Sequence, residues 1–250
     1  LFFTNVFLYF KFILSLFQDK PLFFLCLKVK RKEMTITQEL IKNSQPHWDE
    51  YIQHEFIQKL AAGTLELENF QHYLMQDYIY LFHYCRAFAL AMYKSENFEQ
   101  MNFSKQALNA ILDEIQLHIN YCKEFGIDEK SIYEQQESPA CVAYTRYVLD
   151  CGMNGDLAQL YAGLIPCFLG YAKVADYINE NNLSVANNKY QSWIDMYSSK
   201  EYQEGAKQAT KFFEELCKDS SKKQMEKIQN IFTTATRMEI SFWQMGLDLS

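Results

Sequence analysis

Only 8 glycines and 4 prolines punctuate the 250 residues, and the stretches between them carry apolar side chains at spacings of three and four. A sandwich or barrel needs a turn residue every few positions, whereas uninterrupted three-four periodicity is the mark of amphipathic helices. The pattern predicts helices over about 36–60, 66–94, 98–125, 139–152, 155–181, 187–198, 200–218 and 220–246. Gly63, Ser95-Glu96-Asn97, Gly126, Ser138-Pro139, Gly152 to Gly155 and Asn181-Asn182 supply the breaks between them. There is no internal repeat, low-complexity run or linker after residue 34. The expectation is therefore an all-α, single-domain helical bundle with its functional site between the helices.

The first 33 residues have a different character. Leu1 to Phe17 is apolar apart from a few polar positions such as Lys11, and Leu22 to Leu27 runs into the basic cluster Lys28-Val29-Lys30-Arg31-Lys32. A membrane anchor is one reading. Lys11 inside a barely sufficient apolar stretch, the missing small-residue cleavage site and the ordinary start offered by Met34 favour another: residues 1–33 are an apolar and basic leader outside the native protein, and residues 34–250 are the functional domain, with no membrane partner.

That division sharpens the charge. The leader carries six basic and two acidic residues, so removing its net +4 takes the chain from −7 to −11. With no basic cluster left, a phosphate-backbone partner is not expected, and no nucleic acid enters the reading. Cys85, Cys122, Cys141, Cys151, Cys167 and Cys217 are dispersed without a CxxC pair, as in buried thiols of a reducing cytoplasm.

Three ionisable residues sit on apolar faces. Around Asp77 the helical neighbours are Phe70, Tyr73, Leu74, Tyr80, Leu81 and Tyr84, so its carboxylate needs a partner: a Tyr hydroxyl, an Arg such as Arg86, or a ligand. Periodicity leaves these open. Glu239 makes the same case among Phe232, Ala235, Thr236, Phe242, Trp243 and Gly246, and burial there raises a carboxyl pKa toward the range of a proton donor near neutrality. Cys167 follows Pro166, which disturbs the helix turn, and is flanked on its face by Gly163 and Gly170. The two glycines are expected to leave room for a flat ligand, with Tyr171 covering it. By itself a helical Cys is more often packing than chemistry.

Glu114 and His118 stand at i,i+4, a spacing that suits one metal ion. A metal site needs more ligands than these two, so an ion pair or hydrogen bond is the better reading, and neither a metal nor another cofactor is expected. His47, His54, His72 and His83 read as structural. There is no GxGxxG, P-loop or Gly-x-Ser-x-Gly signature.

Taken together the segments resemble one family. Phe56-Ile-Gln-Lys-Leu with Gly63-Thr-Leu, Tyr73-Leu-Met-Gln-Asp-Tyr-Ile-Tyr80-Leu, Glu114-Ile-Gln-Leu-His118, Ser138-Pro139 with Tyr144-Thr145, Leu164-Ile-Pro-Cys167, Trp193-Ile-Asp-Met-Tyr197 and Glu239-Ile-Ser-Phe-Trp243 are similar, in order and spacing, to the TenA/thiaminase II proteins. The resemblance covers Met34 to Ser250. It implies a haem-oxygenase-like fold, a cytoplasmic homotetramer, and hydrolysis of 4-amino-5-aminomethyl-2-methylpyrimidine or thiamin to the 5-hydroxymethyl pyrimidine for thiamin salvage. By the same resemblance Cys167 is the nucleophile, Glu239 addresses the ring nitrogen and Asp77 binds the aminopyrimidine edge and assists proton transfer. Tyr80, Tyr144, Tyr171 and Tyr197 line the ring pocket and Phe242 stacks nearby. Two other readings compete: a di-metal oxidase on the same fold using Glu114, His118, Asp77 and Glu239, and a non-catalytic pyrimidine-binding regulatory protein.

Overall fold

The computed structural model describes residues 34–250, which hold a compact unit from Ile36 to Ser250; the leader expected over 1–33 lies outside the described residues. Eleven helices and no strand occur among them: α1 Ile36–Asn43, α2 His47–Ile52, α3 Glu55–Ala61, α4 Leu67–Lys94, α5 Phe98–Glu124, α6 Glu129–Glu134, α7 Pro139–Asn154, α8 Leu157–Glu180, α9 Gln191–Ser198, α10 Lys200–Cys217 and α11 Lys222–Asp248. The all-α bundle expected from the periodicity is the fold observed.

The helix starts are written in the sequence. Asn97, Asp128, Ser138, Asp156 and Ser199 each accept a hydrogen bond from a backbone N–H of the first turn, and Ser221 with Gln224 forms a reciprocal capping box. Pro139 follows its cap at the first helical position, where a missing N–H costs nothing.

The single helix expected over 36–60 is three. Pro46 lacks the N–H that would continue α1, and the Gln45–Pro46 peptide is cis. Eight residues on, the His54 side chain accepts from Phe56 N at 3.2 Å and starts α3. The break turns α2 so that Tyr51 points inward, fully buried. The short helix α6 was not foreseen, since six residues are too few to show a period. The helix expected from 187 begins at Gln191, because Asn187 is left-handed (φ 59°) and the Asn188 amide is used on Leu60 O and Ala61 O at 3.0 and 2.8 Å.

Helix α8 is the axis of the bundle. It is apolar on all sides, long and apolar enough by composition to cross a membrane, yet 83% of that stretch is buried, which is the pattern of a core helix. α2, α4, α7, α9, α10 and α11 all pack on it. The α4–α5 pair closes one flank through the short Ser95–Asn97 connection. Asp77, Cys167, Glu239 and the five aromatic residues expected with them therefore come from α8 or from a helix packed on it, while Glu114 and His118 come from α5.

Candidate active site

Cys167 lies in the turn of α8 that follows Pro166, and three tyrosine hydroxyls are spent on carbonyls of that turn. Tyr84 donates to Leu164 O at 3.1 Å, Tyr51 to Pro166 O at 3.4 Å and Tyr202 to Phe168 O at 3.3 Å. They come from α4, α2 and α10, so carbonyl acceptors around a proline-bearing turn gather a ring of phenols about the thiol.

Glu239 closes the same space from α11. It is 2% exposed, and Tyr144 on α7 donates to its Oε1 at 2.7 Å. The Tyr51 hydroxyl and the Cys167 thiol lie close enough to its carboxyl to favour the charged form. Burial, against the pull of Tyr144 and with the charge of Asp77 nearby, raises the Glu239 carboxyl to about 8. Burial and the Glu239 charge push the Cys167 thiol well above its ordinary value, so it rests protonated.

Asp77 enters from the middle of α4. Arg86 does not reach it and is hydrogen-bonded to the ring of His83 at 3.0 Å, and no Tyr hydroxyl bonds to it among the described residues. His118 on α5 is its neighbour, Nδ1 to Oδ2 at 3.8 Å. Desolvation raises Asp77 to about 7, and it raises Glu114 likewise to about 7, with Asp77 adding to the effect. Asp77, Glu114, Cys167 and Tyr202 are surrounded on all sides yet retain accessible surface. We take the space these side chains border as the candidate pocket.

The aromatic residues complete its walls. Tyr80 packs 5.2 Å from Tyr144 and 5.7 Å from Phe242 between ring centroids. Opposite, Tyr171 lies 4.8 Å from Tyr197. The Tyr80 hydroxyl is buried beside Cys167 and Tyr144 without a hydrogen bond of good geometry to either, and such a hydroxyl is a place for a ligand atom. A surface hollow lined by Trp48, Asp49, Ile52, Gln53, Lys173, Asp176, Tyr177 and Glu180 contains none of these groups and lacks a nucleophile.

All eight residues expected from the sequence thus converge. One expectation changes. The space beside Gly170 is taken by protein: a Cβ there would stand 2.1 Å from Tyr51 Cε1. Gly163 faces Val148 and Ile231 at ordinary contact distance, so neither glycine leaves room for a ligand. No three His, Cys, Asp or Glu side chains among the described residues are grouped to hold a metal ion, and His118 Nε2 is engaged with Leu74 O at 2.8 Å, so the donor set of the di-metal reading is not assembled. Tyr51, Tyr84 and Tyr202 were missed. The Tyr51 signal was the Pro46 break; for the other two, apolar-face position alone does not separate a site phenol from a core one.

Residues 41–249 match the model of the TENA/THI-4/PQQC family. The chain belongs to that family. An uncharacterized protein of Haemophilus influenzae is 56% identical over 213 residues, 85% of this chain and 99% of that one. The aminopyrimidine aminohydrolase of Halalkalibacterium halodurans is 32% identical over 214 residues, covering 85% of this chain and 96% of that protein. The crystal structure of a TenA family transcription regulator from Silicibacter sp. is 36% identical, with a TM-score of 0.79 over 85% of this chain and 96% of that one.

Proposed function

We propose that this TENA/THI-4/PQQC protein hydrolyses the exocyclic C–N bond of an aminopyrimidine, 4-amino-5-aminomethyl-2-methylpyrimidine or thiamin, with Cys167 as nucleophile. The observation that carries the reading is the contact of the Cys167 thiol with Glu239, a carboxyl itself held by Tyr144 at 2.7 Å. Nothing in a packed core requires a thiol, a buried carboxylate and an orphan tyrosine hydroxyl to meet, whereas covalent catalysis requires a nucleophile, a base and an open position beside them. The aminopyrimidine aminohydrolase relative supports the substrate class.

In this reaction ionised Glu239 takes the proton of the Cys167 thiol and passes it to the ring nitrogen as sulfur bonds to the adjacent ring carbon. The net step is addition of S–H across a ring C=N bond, and Glu239 ends as it began. The electron-rich ring then expels the 5-substituent, an ammonium group leaving as ammonia or a thiazolium as neutral thiazole. Water adds to the exposed methylene carbon and loses a proton. The ring nitrogen returns its proton through Glu239 as the C–S bond breaks, which restores the thiol. Asp77 receives the 4-amino group at the far edge, and Tyr80, Tyr144, Tyr171, Tyr197 and Phe242 hold the ring flat between aromatic faces, where stacking is favourable. Tyr51 and Tyr84 fix the thiol's surroundings.

The deciding experiment is a side-by-side measurement of kcat/KM on the aminomethyl pyrimidine and on thiamin. Release of the 5-hydroxymethyl pyrimidine from at least one of them is expected; no release from either removes the proposal. A homotetramer is expected in solution by family likeness, and sedimentation tests it.

A further inference from the structure

His118 takes no part in the chemistry above, yet it is the basic side chain set against Asp77. Its Nε2 lies 2.8 Å from Leu74 O, which accepts only, so Nε2 carries a hydrogen. In the neutral ring Nδ1 is then a bare acceptor, and it faces Asp77 Oδ2 at 3.8 Å. At 3.8 Å this is an electrostatic pair longer than a hydrogen bond, and the two lone pairs face each other unless one of the groups carries a proton toward the other.

The other groups facing Asp77 do not supply one. They are Tyr73 on its own helix, Glu114 and Cys122 on α5, Cys141 on α7, Cys167 and Tyr171 on α8, Tyr197 on α9 and Glu239 on α11. None of these is a cation, and none makes a hydrogen bond to Asp77 among the described residues. Among the described residues His118 in turn meets Glu114 and the Tyr78 ring, the latter at 6.3 Å, besides Asp77 and Leu74.

We propose that His118 is the positioning residue of Asp77: the Leu74 carbonyl fixes its tautomer, one proton is held between Nδ1 and Oδ2, and Oδ1 is left toward the hollow as an acceptor. An acceptor-only oxygen takes an N–H donor and rejects a carbonyl. The pair therefore selects 4-aminopyrimidines over their 4-oxo counterparts, by the same logic that lets a hydrogen-bonding site discriminate far better than an apolar one. Burial supports the arrangement, since it raises the Asp77 carboxyl and lowers the His118 imidazole, the directions that keep the shared proton on oxygen.

The inference rests on the aminopyrimidine reading for its substrate but not for its geometry, and two substitutions separate positioning from simple tethering of α5. His118→Gln places an amide nitrogen where Nε2 was and keeps the Leu74 bond; His118→Asn places an amide oxygen near the Nδ1 position and loses that bond. Titration of the Asp77 carboxyl carbon by NMR in the ligand-free protein, assigned by its disappearance in Asp77→Asn, is the readout independent of activity. Its midpoint should fall by about one pH unit in His118→Gln, because the acceptor for its proton is gone, and by less in His118→Asn. With active enzyme, His118→Gln should raise KM for the aminopyrimidine about tenfold with kcat changed far less, and should narrow the preference for the 4-amino over the 4-oxo ring. An unshifted Asp77 midpoint in His118→Gln overturns the proposal and leaves His118 a tether. If the wild-type protein turns over neither pyrimidine nor thiamin, the functional reading falls, and the ligand-free titration still decides the role of His118.

Discussion

The hydroxyl of Tyr144 on α7 donates a 2.7 Å hydrogen bond to Glu239 on α11, across 95 residues of chain. Hydrogen bonds to an ionised group contribute about 1.5–3 kcal/mol, and this one stabilises the carboxylate that must accept the thiol proton. Tyr144→Phe should therefore lower kcat/KM by about 10–100-fold and raise the Glu239 pKa further, with the helical signal unchanged. Wild-type kinetics in that variant would show that Glu239 needs no donor.

Cys167→Ser should abolish turnover and retain binding of the 5-hydroxymethyl pyrimidine, since an alcohol keeps the shape but not the nucleophilicity of a thiol. Calorimetry with the product and a discontinuous assay check both halves. Cys122, Cys141 and Cys217, buried and with thiols pushed well up by burial, are packing thiols and should tolerate Ala without loss of kcat. Turnover in Cys167→Ser within tenfold of wild type, about 1.4 kcal/mol in barrier, would return the chemistry to water activated by carboxylate.

Cys167 and Glu239 react as a pair holding one proton. The doubly protonated pair loses its proton near the Glu239 value of about 8, and the remaining thiol is raised still further, so kcat/KM should climb with pH to a limb near 8 and stay high beyond it. A profile flat from about pH 6 to 9 contradicts the role assigned to Glu239. The same shifts act on stability. Asp77 and Glu239 have folded values of about 7 and about 8 against ordinary values of 3.8 and 4.5. The stability they contribute is thus whole below those ordinary values and is lost as pH rises through about 7 to 8. Tm should fall as pH rises toward about 8 and level off above it, and between about pH 6.5 and 8 the fall belongs to these carboxyls because His54, His83 and His118, all lowered, are already neutral. Glu239→Gln should flatten that fall.

Gly170 and Gly163 look alike in the sequence and should respond oppositely to alanine. At Gly170 the new Cβ meets the Tyr51 ring at 2.1 Å and its hydroxyl at 2.5 Å. Overpacking of that kind costs about 1–3 kcal/mol, and displacing Tyr51 also removes a neighbour of Glu239, so both Tm and kcat/KM should drop. At Gly163 the nearest atoms are 3.5 Å from Val148 and 3.7 Å from Ile231. Alanine fits there and gains helix propensity of about 1 kcal/mol. Chemical denaturation of the two variants checks the contrast.

Helix content and the inward direction of Asp77, Cys167, Glu239, Tyr80, Tyr144, Tyr171, Tyr197 and Phe242 were determined by the sequence alone. A three-four period records which side of a helix is apolar, and capping residues such as Ser138 and Ser221 record where it starts; both are local. The tertiary structure alone decided which inward residues meet. It set Tyr144 on Glu239 and His118 on Asp77, paired Arg86 with His83, and filled the space beside Gly170 with a tyrosine from a helix that the periodicity had merged with its neighbours. Apart from Arg86 with His83, these contacts join residues 41 to 119 positions apart. They depend on how whole faces pack about α8, a property of several helices at once that no single segment carries.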